Sequence, residues 1–121
     1  MPDPHQRAAE LVRTLPADVV LKAAGLCNGH DILDPQAFLD AGLPLDVIRR
    51  VTTTHKSDGT HKGSIYVDGK QVDQLSGVYG LDMLEFIAGA LGLKYRRYMG
   101  RGFQASAIKE ALRCHFHDST T

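Results

Sequence analysis

Tryptophan is absent from this chain, cysteine occurs only twice, and long apolar runs are missing. Two cysteines in 121 residues do not make the disulfide framework of a small secreted domain, so we expect reduced thiols. A membrane-spanning helix needs about 18 or more predominantly apolar residues in succession, and no stretch approaches that length. No apolar stretch follows a basic start, as it would in a secretory signal. We therefore expect a cytoplasmic protein that does not contact a membrane.

Internal repeats, low-complexity tracts and long linkers are also missing, which predicts a single domain over residues 1–121. The net charge is zero, but the charges are unevenly distributed. Residues 1–48 hold seven acids and three bases, whereas residues 86–117 hold six bases and one acid. Dedicated nucleic-acid binders usually carry a net positive charge, so any such role here requires a local basic face.

Helical periodicity and capping residues predict helices in the first half of the chain. A short helix covers residues 8–15, and a second begins at Pro16. That helix should end near Asn28-Gly29, because both residue types tolerate the left-handed conformation. Asp34-Pro35 predicts the start of a third helix, with the acid as N-cap and the proline at the first helical position. Gly42 should end that helix.

A further short helix from Pro44 to Val51 would complete a corner that resembles a helix-turn-helix. The β-branched residues 51–54 then predict a strand. Residues 64–67 and 70–72 predict two more strands, joined by a hairpin turn at Asp68-Gly69.

The last third of the chain predicts two helices. The first covers residues 81–91 and ends at Gly92, and residues 93–98 could form a short strand. The second covers residues 104–116, after a turn at Gly100–Gly102. We therefore predict an α+β fold with an N-terminal helical cluster, a small antiparallel β-meander, and two C-terminal helices packed on the sheet.

The segment before the last predicted helix holds four cations, three aromatic rings, two glycines and no acid. Arginine side chains fork onto anions, glycines let a backbone approach closely, and aromatic rings stack on bases. A helix start adds unpaired backbone N–H groups. The alternative is that the rings belong to the core and the cations lie in solvent, with Tyr95 the expected core member. The predicted anion site consists of Lys94, Arg96, Arg97, Tyr98, Gly100, Arg101, Gly102 and Phe103.

A second basic patch is predicted at the helix-turn-helix-like corner and the hairpin that follows it. It consists of Arg49, Arg50, Lys56 and Lys62. If the second helix of the corner docks on DNA, that helix and the hairpin together resemble a winged helix. No base-reading Asn or Gln stands in Leu45-Asp46-Val47, however, and Asp46 would face phosphates unfavourably. An ordinary helical corner is therefore the alternative.

Both cysteines are followed three residues later by histidine. Cys27 and His30 form one pair, and Cys114 and His117 the other. Thiolate and imidazole at this spacing could complete a structural zinc site with four protein ligands. Alternatively, Cys27 is a small buried residue and the C-terminal pair is solvated. No cofactor other than this zinc is indicated.

Catalytic patterns are weak, since the chain has no phosphate-binding Walker loop and no nucleophile-elbow serine. The interpretation we favour is a small intracellular nucleic-acid-binding protein, with a regulatory role and not an enzymatic one. The first alternative is a protein-interaction module, an inhibitor or adaptor that presents the same Arg and Tyr side chains to an acidic protein surface. A third is a small domain or enzyme that binds a phosphorylated metabolite. The sequence leaves the oligomeric state open.

Overall fold

A computed structural model describes residues 3–29, 31–52, 63–75 and 77–119 of the chain. Helices and strands occur together in these ranges, which confirms the predicted α+β class. The helices are α1 (Pro4–Thr14), α2 (Ala17–Leu26), α3 (Pro35–Ala41), α4 (Leu45–Thr52), α5 (Gly80–Ala90) and α6 (Arg101–Ser119). The strands are β1 (Ile32–Leu33), β2 (Gly63–Val67), β3 (Lys70–Leu75) and β4 (Val78–Tyr79).

Local capping chemistry fixes both ends of α3, as predicted. The Asp34 carboxylate accepts a hydrogen bond from the Gln36 N–H at 3.0 Å, and Pro35 is the first helical residue. Gly42 ends the helix in the left-handed conformation with φ of 111°. The turn from Gly42 into α4 is therefore set by a residue without a Cβ.

The end of α2 differs from the prediction. Cys27 caps this helix in an extended conformation, with φ of −89°, and neither Asn28 nor Gly29 has a positive φ. The Asp31 N–H then donates to the Asn28 side-chain oxygen at 2.8 Å, which turns the chain toward β1. The left-handed cap predicted at Asn28-Gly29 is wrong, because the side chain of Asn28 turns the backbone instead.

Three predicted boundaries also need correction. Val51 and Thr52 belong to α4 and not to a strand, since Val51 continues the buried helical face of Val47 and Ile48. The rest of that predicted strand lies outside the described residues. Residues 93–98 form no strand, and α6 begins at Arg101, so that Arg101 and Gly102 lie in its first turn.

The strands form two separate antiparallel pairs. β2 and β3 form the predicted hairpin, and Asp68 and Gly69 take φ values of 52° and 79° at its turn. This hairpin lies against α3, where the Tyr66 N–H donates to the Gln36 side-chain oxygen at 2.8 Å. β1 pairs with β4, which leads directly into α5. The antiparallel strands are thus divided between two pairs, and the hairpin packs on α3.

The core lies among the helices. α5 packs against α1 and α6, α4 packs against α1, and α6 also contacts α2. The buried face of α6 carries Ala105, Ile108 and Leu112, as its periodicity predicts. None of the described helices is both long and apolar enough to cross a membrane.

Candidate nucleic-acid interface

The segment between α5 and α6 is fixed by a buried side chain on α6. Gln104 is only 5% exposed. Its side-chain oxygen accepts from the Tyr98 N–H at 2.7 Å, and its Nε2 donates to the Arg96 carbonyl at 3.4 Å. Residues 96–98 therefore hold a defined position without belonging to a helix or strand. Sequence reasoning missed this role, although Gln104 is a polar residue four positions before Ile108 on the buried stripe.

We call the side chains presented by this segment and the first turn of α6 the basic–aromatic surface. Within the described residues, none of its four cations forms an ion pair with a carboxylate. In contrast, Arg7, Arg49 and Arg113 do form such pairs. The surface consists of Lys94, Arg96, Arg97, Tyr98, Met99, Arg101 and Phe103, all exposed.

The aromatic rings divide between the core and the solvent. Phe103 is 73% exposed and Tyr98 is 43% exposed, and their ring centroids lie 6.3 Å apart. The Arg96 guanidinium lies 5.5 Å from the centroid of the Tyr98 ring. Tyr95 packs against the core as expected, and the Arg97 guanidinium lies 5.7 Å from its ring centroid. Two rings and two stacked arginines thus face outward on one short segment.

The start of α6 is partly covered by the protein itself. Its first helical hydrogen bond runs from the Gln104 N–H to the Gly100 carbonyl at 2.9 Å. A Cβ on Gly29 would overlap the backbone of Arg101 and Gly102, so Gly29 lies directly against this first turn. The glycine-rich start was predicted to hold an anion with its backbone N–H groups. Gly29 therefore covers part of the backbone in the first turn of α6.

The second predicted patch is engaged within the protein where the structure describes it. Arg49 Nε lies 2.6 Å from a carboxylate oxygen of Asp73, and this hydrogen bond holds the pKa of Asp73 below its usual range. Arg50 Nε donates to Nδ1 of His5 at 3.0 Å. Both arginines therefore connect α4 to its neighbours. Lys56 and Lys62, the other two members, lie outside the described residues.

The predicted zinc ligands do not come together in the described part of the chain. Cys27 is 1% exposed, and its thiol donates to the Ala23 carbonyl at 3.4 Å. Cys114 is exposed on α6. The described residues contain no group of three side chains able to hold a metal ion, so Cys27, Cys114 and His117 form no such cluster. His30, the fourth predicted ligand, lies outside the described residues.

The chain was also compared with known proteins. No protein-family model, no curated protein and no solved structure matches it. The function of the chain must therefore be inferred from the chemistry of the described residues. Among them, the basic–aromatic surface combines cations that have no carboxylate partner, exposed rings and a backbone fixed by Gln104.

Proposed function

We propose that the basic–aromatic surface binds single-stranded nucleic acid. The observation that carries this proposal is the exposure of Phe103 and Tyr98 beside four cations that form no ion pair with a carboxylate of the described residues. Bases stack on exposed aromatic rings, and each stacked base contributes about 1–3 kcal/mol. Lysine and arginine side chains bind the phosphates between the bases. A duplex hides the faces of its bases, so a single strand or an open loop fits this surface better.

Preorganisation of the surface supports the same proposal. Gln104 holds the backbone at Arg96 and Tyr98 through two hydrogen bonds. A backbone that is already ordered loses less conformational entropy when a ligand binds. The stacked pairs Arg96–Tyr98 and Arg97–Tyr95 also restrict the two guanidinium groups before any phosphate arrives.

A protein partner is the alternative occupant of this surface. Met99 is fully exposed, and Met, Tyr and Arg are enriched at the centres of protein interfaces. The zero net charge is compatible with either partner. The salt dependence of the affinity distinguishes a nucleic acid from a protein partner. Binding to a polyphosphate releases condensed counterions and therefore weakens steeply as salt is added.

The decisive experiment is fluorescence anisotropy with labelled oligothymidylate and oligouridylate of about 12 nucleotides, a length within the usual site sizes. About three or four phosphate contacts should give a log–log salt slope between roughly −2 and −3, at about −0.7 per contact. The Phe103→Ala variant should bind about 5- to 150-fold more weakly, the loss expected for one stacked base. Arg97→Ala combined with Arg101→Ala should reduce the steepness of the slope.

Arg113→Ala is the matched control for these substitutions. Arg113 is exposed on the same helix, about 18 Å from Arg101 along the helix axis at 1.5 Å per residue, and forms an ion pair with Glu110. This variant should bind like the wild type. Absence of binding to either strand at about 50 mM salt would overturn the proposal and leave the protein-interaction module as the better interpretation.

A further inference from the structure

Beside Arg101 lies a cleft that the basic–aromatic surface does not include. Its volume is about 290 Å³. It opens between the loop after α2, the start of α5 and the start of α6. The side chains and glycines that matter for its chemistry are Gly29, Asp31, Tyr79, Gly80, Asp82 and Arg101. Arg101 therefore belongs to both the cleft and the surface.

Close backbone packing fixes the walls of this cleft. A Cβ on Gly29 would overlap the first turn of α6, and a Cβ on Gly80 would overlap the backbone of Asn28. The Asp31 carboxylate accepts from Asn28 Nδ2 at 2.6 Å, and the Gly80 N–H donates to the Asp31 carbonyl at 3.3 Å. The loop that carries Asp31 is thus held between two helix starts, and the cleft is preformed.

The charges in the cleft define the chemistry of its ligand. Asp31 and Asp82 contribute two carboxylates and Arg101 one guanidinium. A suitable ligand offers N–H donors to the carboxylates and an acceptor to the arginine. A nucleobase has both kinds of group on its edges.

Among the common bases, guanine matches this set best. Its N1–H and N2 amino group present adjacent donors on one edge, and its O6 and N7 atoms present two acceptors to an arginine fork. Adenine and cytosine each offer a single amino group on that edge, and uracil and thymine a single imino N–H. The cleft volume is at the lower limit of small-molecule sites, which suits one base.

We propose that this cleft binds a guanine base of the strand held by the basic–aromatic surface. The inference rests on the proposed function, since Arg101 connects the two. The surface gives affinity for any single strand, and the cleft adds preference for a guanine that is turned out of the strand. The two contributions are separable, because the carboxylates lie in the cleft and the remaining cations lie outside it.

The first test compares oligothymidylate of about 12 nucleotides with the same strand carrying one central guanosine. Guanosine should tighten binding about tenfold, a value within the usual discrimination of a good bidentate contact. Inosine, which lacks the N2 amino group, should lose much of this gain. Asp31→Asn and Asp82→Asn should abolish the preference and keep the affinity for oligothymidylate. Asp68→Asn, at the exposed hairpin tip, is the control for removal of a carboxylate.

The second test uses guanosine 5′-monophosphate alone, followed by the backbone amide signals of the protein in solution. Shifts at Gly29, Asp31, Gly80 and Asp82 that are absent with adenosine 5′-monophosphate support the cleft. Arg96→Ala should leave these shifts unchanged, and Asp82→Asn should remove them. This second test does not require that the protein binds a strand.

The outcomes distinguish the two proposals. Strand binding without guanine preference, and without shifts in the cleft, overturns this inference and leaves the proposed function standing. Guanosine-specific shifts in a protein that binds no strand overturn the proposed function and, with it, the placement of the guanine in a bound strand, and they leave the cleft as a site for a free guanine nucleotide. Absence of both overturns both.

Discussion

Cys27 lies in the core as a neutral thiol. Its side chain is 1% exposed, and burial raises the pKa of the thiol to about 12, against the opposing charge of Lys109. The thiolate is the nucleophilic and metal-binding form of cysteine. Cys27 is therefore a packing residue at ordinary pH, whereas Cys114 is exposed and accessible. A thiol reagent should modify Cys114 rapidly and Cys27 only when the protein opens.

This burial makes stability depend on pH in the alkaline range. The thiol ionises near pH 9.0 when exposed and near pH 12 in the folded protein, so the folded state retains the proton over this interval. Its contribution to the free energy of unfolding is complete below pH 9.0 and is lost as pH rises toward 12. The expected loss is at most about 1.4 kcal/mol per pH unit.

Urea unfolding at several pH values between 8 and about 10.5 checks this dependence. Cys27→Ala removes the titrating group, so its stability should fall less steeply with pH than that of the wild type. Cys114→Ala retains Cys27 and should keep the steeper fall. Parallel curves for the wild type and Cys27→Ala would contradict the neutral buried thiol.

At the scale of elements, the sequence predicted what is encoded locally. Asp34 and Pro35 start α3, Gly42 ends it, and Asp68-Gly69 turns the hairpin, because each of these signals acts within a few residues. The candidate site could be predicted from such local signals only in part. The cluster of cations, rings and glycines was visible, but neither their contacts nor the exposure of Phe103 could be read from it.

The segment before α6 shows why the remainder could not be predicted. Alternation in residues 93–98 indicated a strand, and Leu93 and Tyr95 do face the core. Alternation specifies which side chains face inward but does not provide a neighbouring strand. Here a side chain of α6, Gln104, satisfies the backbone groups instead. Such a contact depends on tertiary packing, which no local pattern encodes.

Gln104→Ala tests this account of the segment. The substitution leaves the Tyr98 N–H and the Arg96 carbonyl without their partner, and we expect a loss of about 1–3 kcal/mol in stability. Hydrogen exchange of the Tyr98 amide should become faster, and affinity for single strands should fall because the surface is no longer preorganised. Ser106→Ala, exposed on the same helix, is the control. Unchanged exchange at Tyr98 would show that Gln104 does not fix the segment.

At the scale of the whole molecule, two glycines allow close backbone contacts between the N-terminal and C-terminal halves. Gly29 lies against the start of α6, and Gly80 lies against the backbone of Asn28. The loop after α2 is thereby held between the starts of α5 and α6. Arg101 lies at this junction, beside the cleft and within the basic–aromatic surface. The packing that joins the halves therefore also orients the candidate site, so stability and binding should change together when it is disturbed.

The pair Gly29→Ala and Gly25→Ala tests this coupling. Alanine at Gly29 would overlap the backbone of Arg101, whereas nothing lies within 4 Å of a Cβ at Gly25, an exposed helical position. Gly25→Ala should raise stability by about 0.5–1 kcal/mol, since alanine is the better helix former. Gly29→Ala should lower it by about 1–3 kcal/mol, because backbone must move to admit the methyl group. The same movement displaces Arg101, so only Gly29→Ala should weaken strand binding in the anisotropy assay. If both variants gained stability and bound equally well, Gly29 could not be the close contact that positions the start of α6.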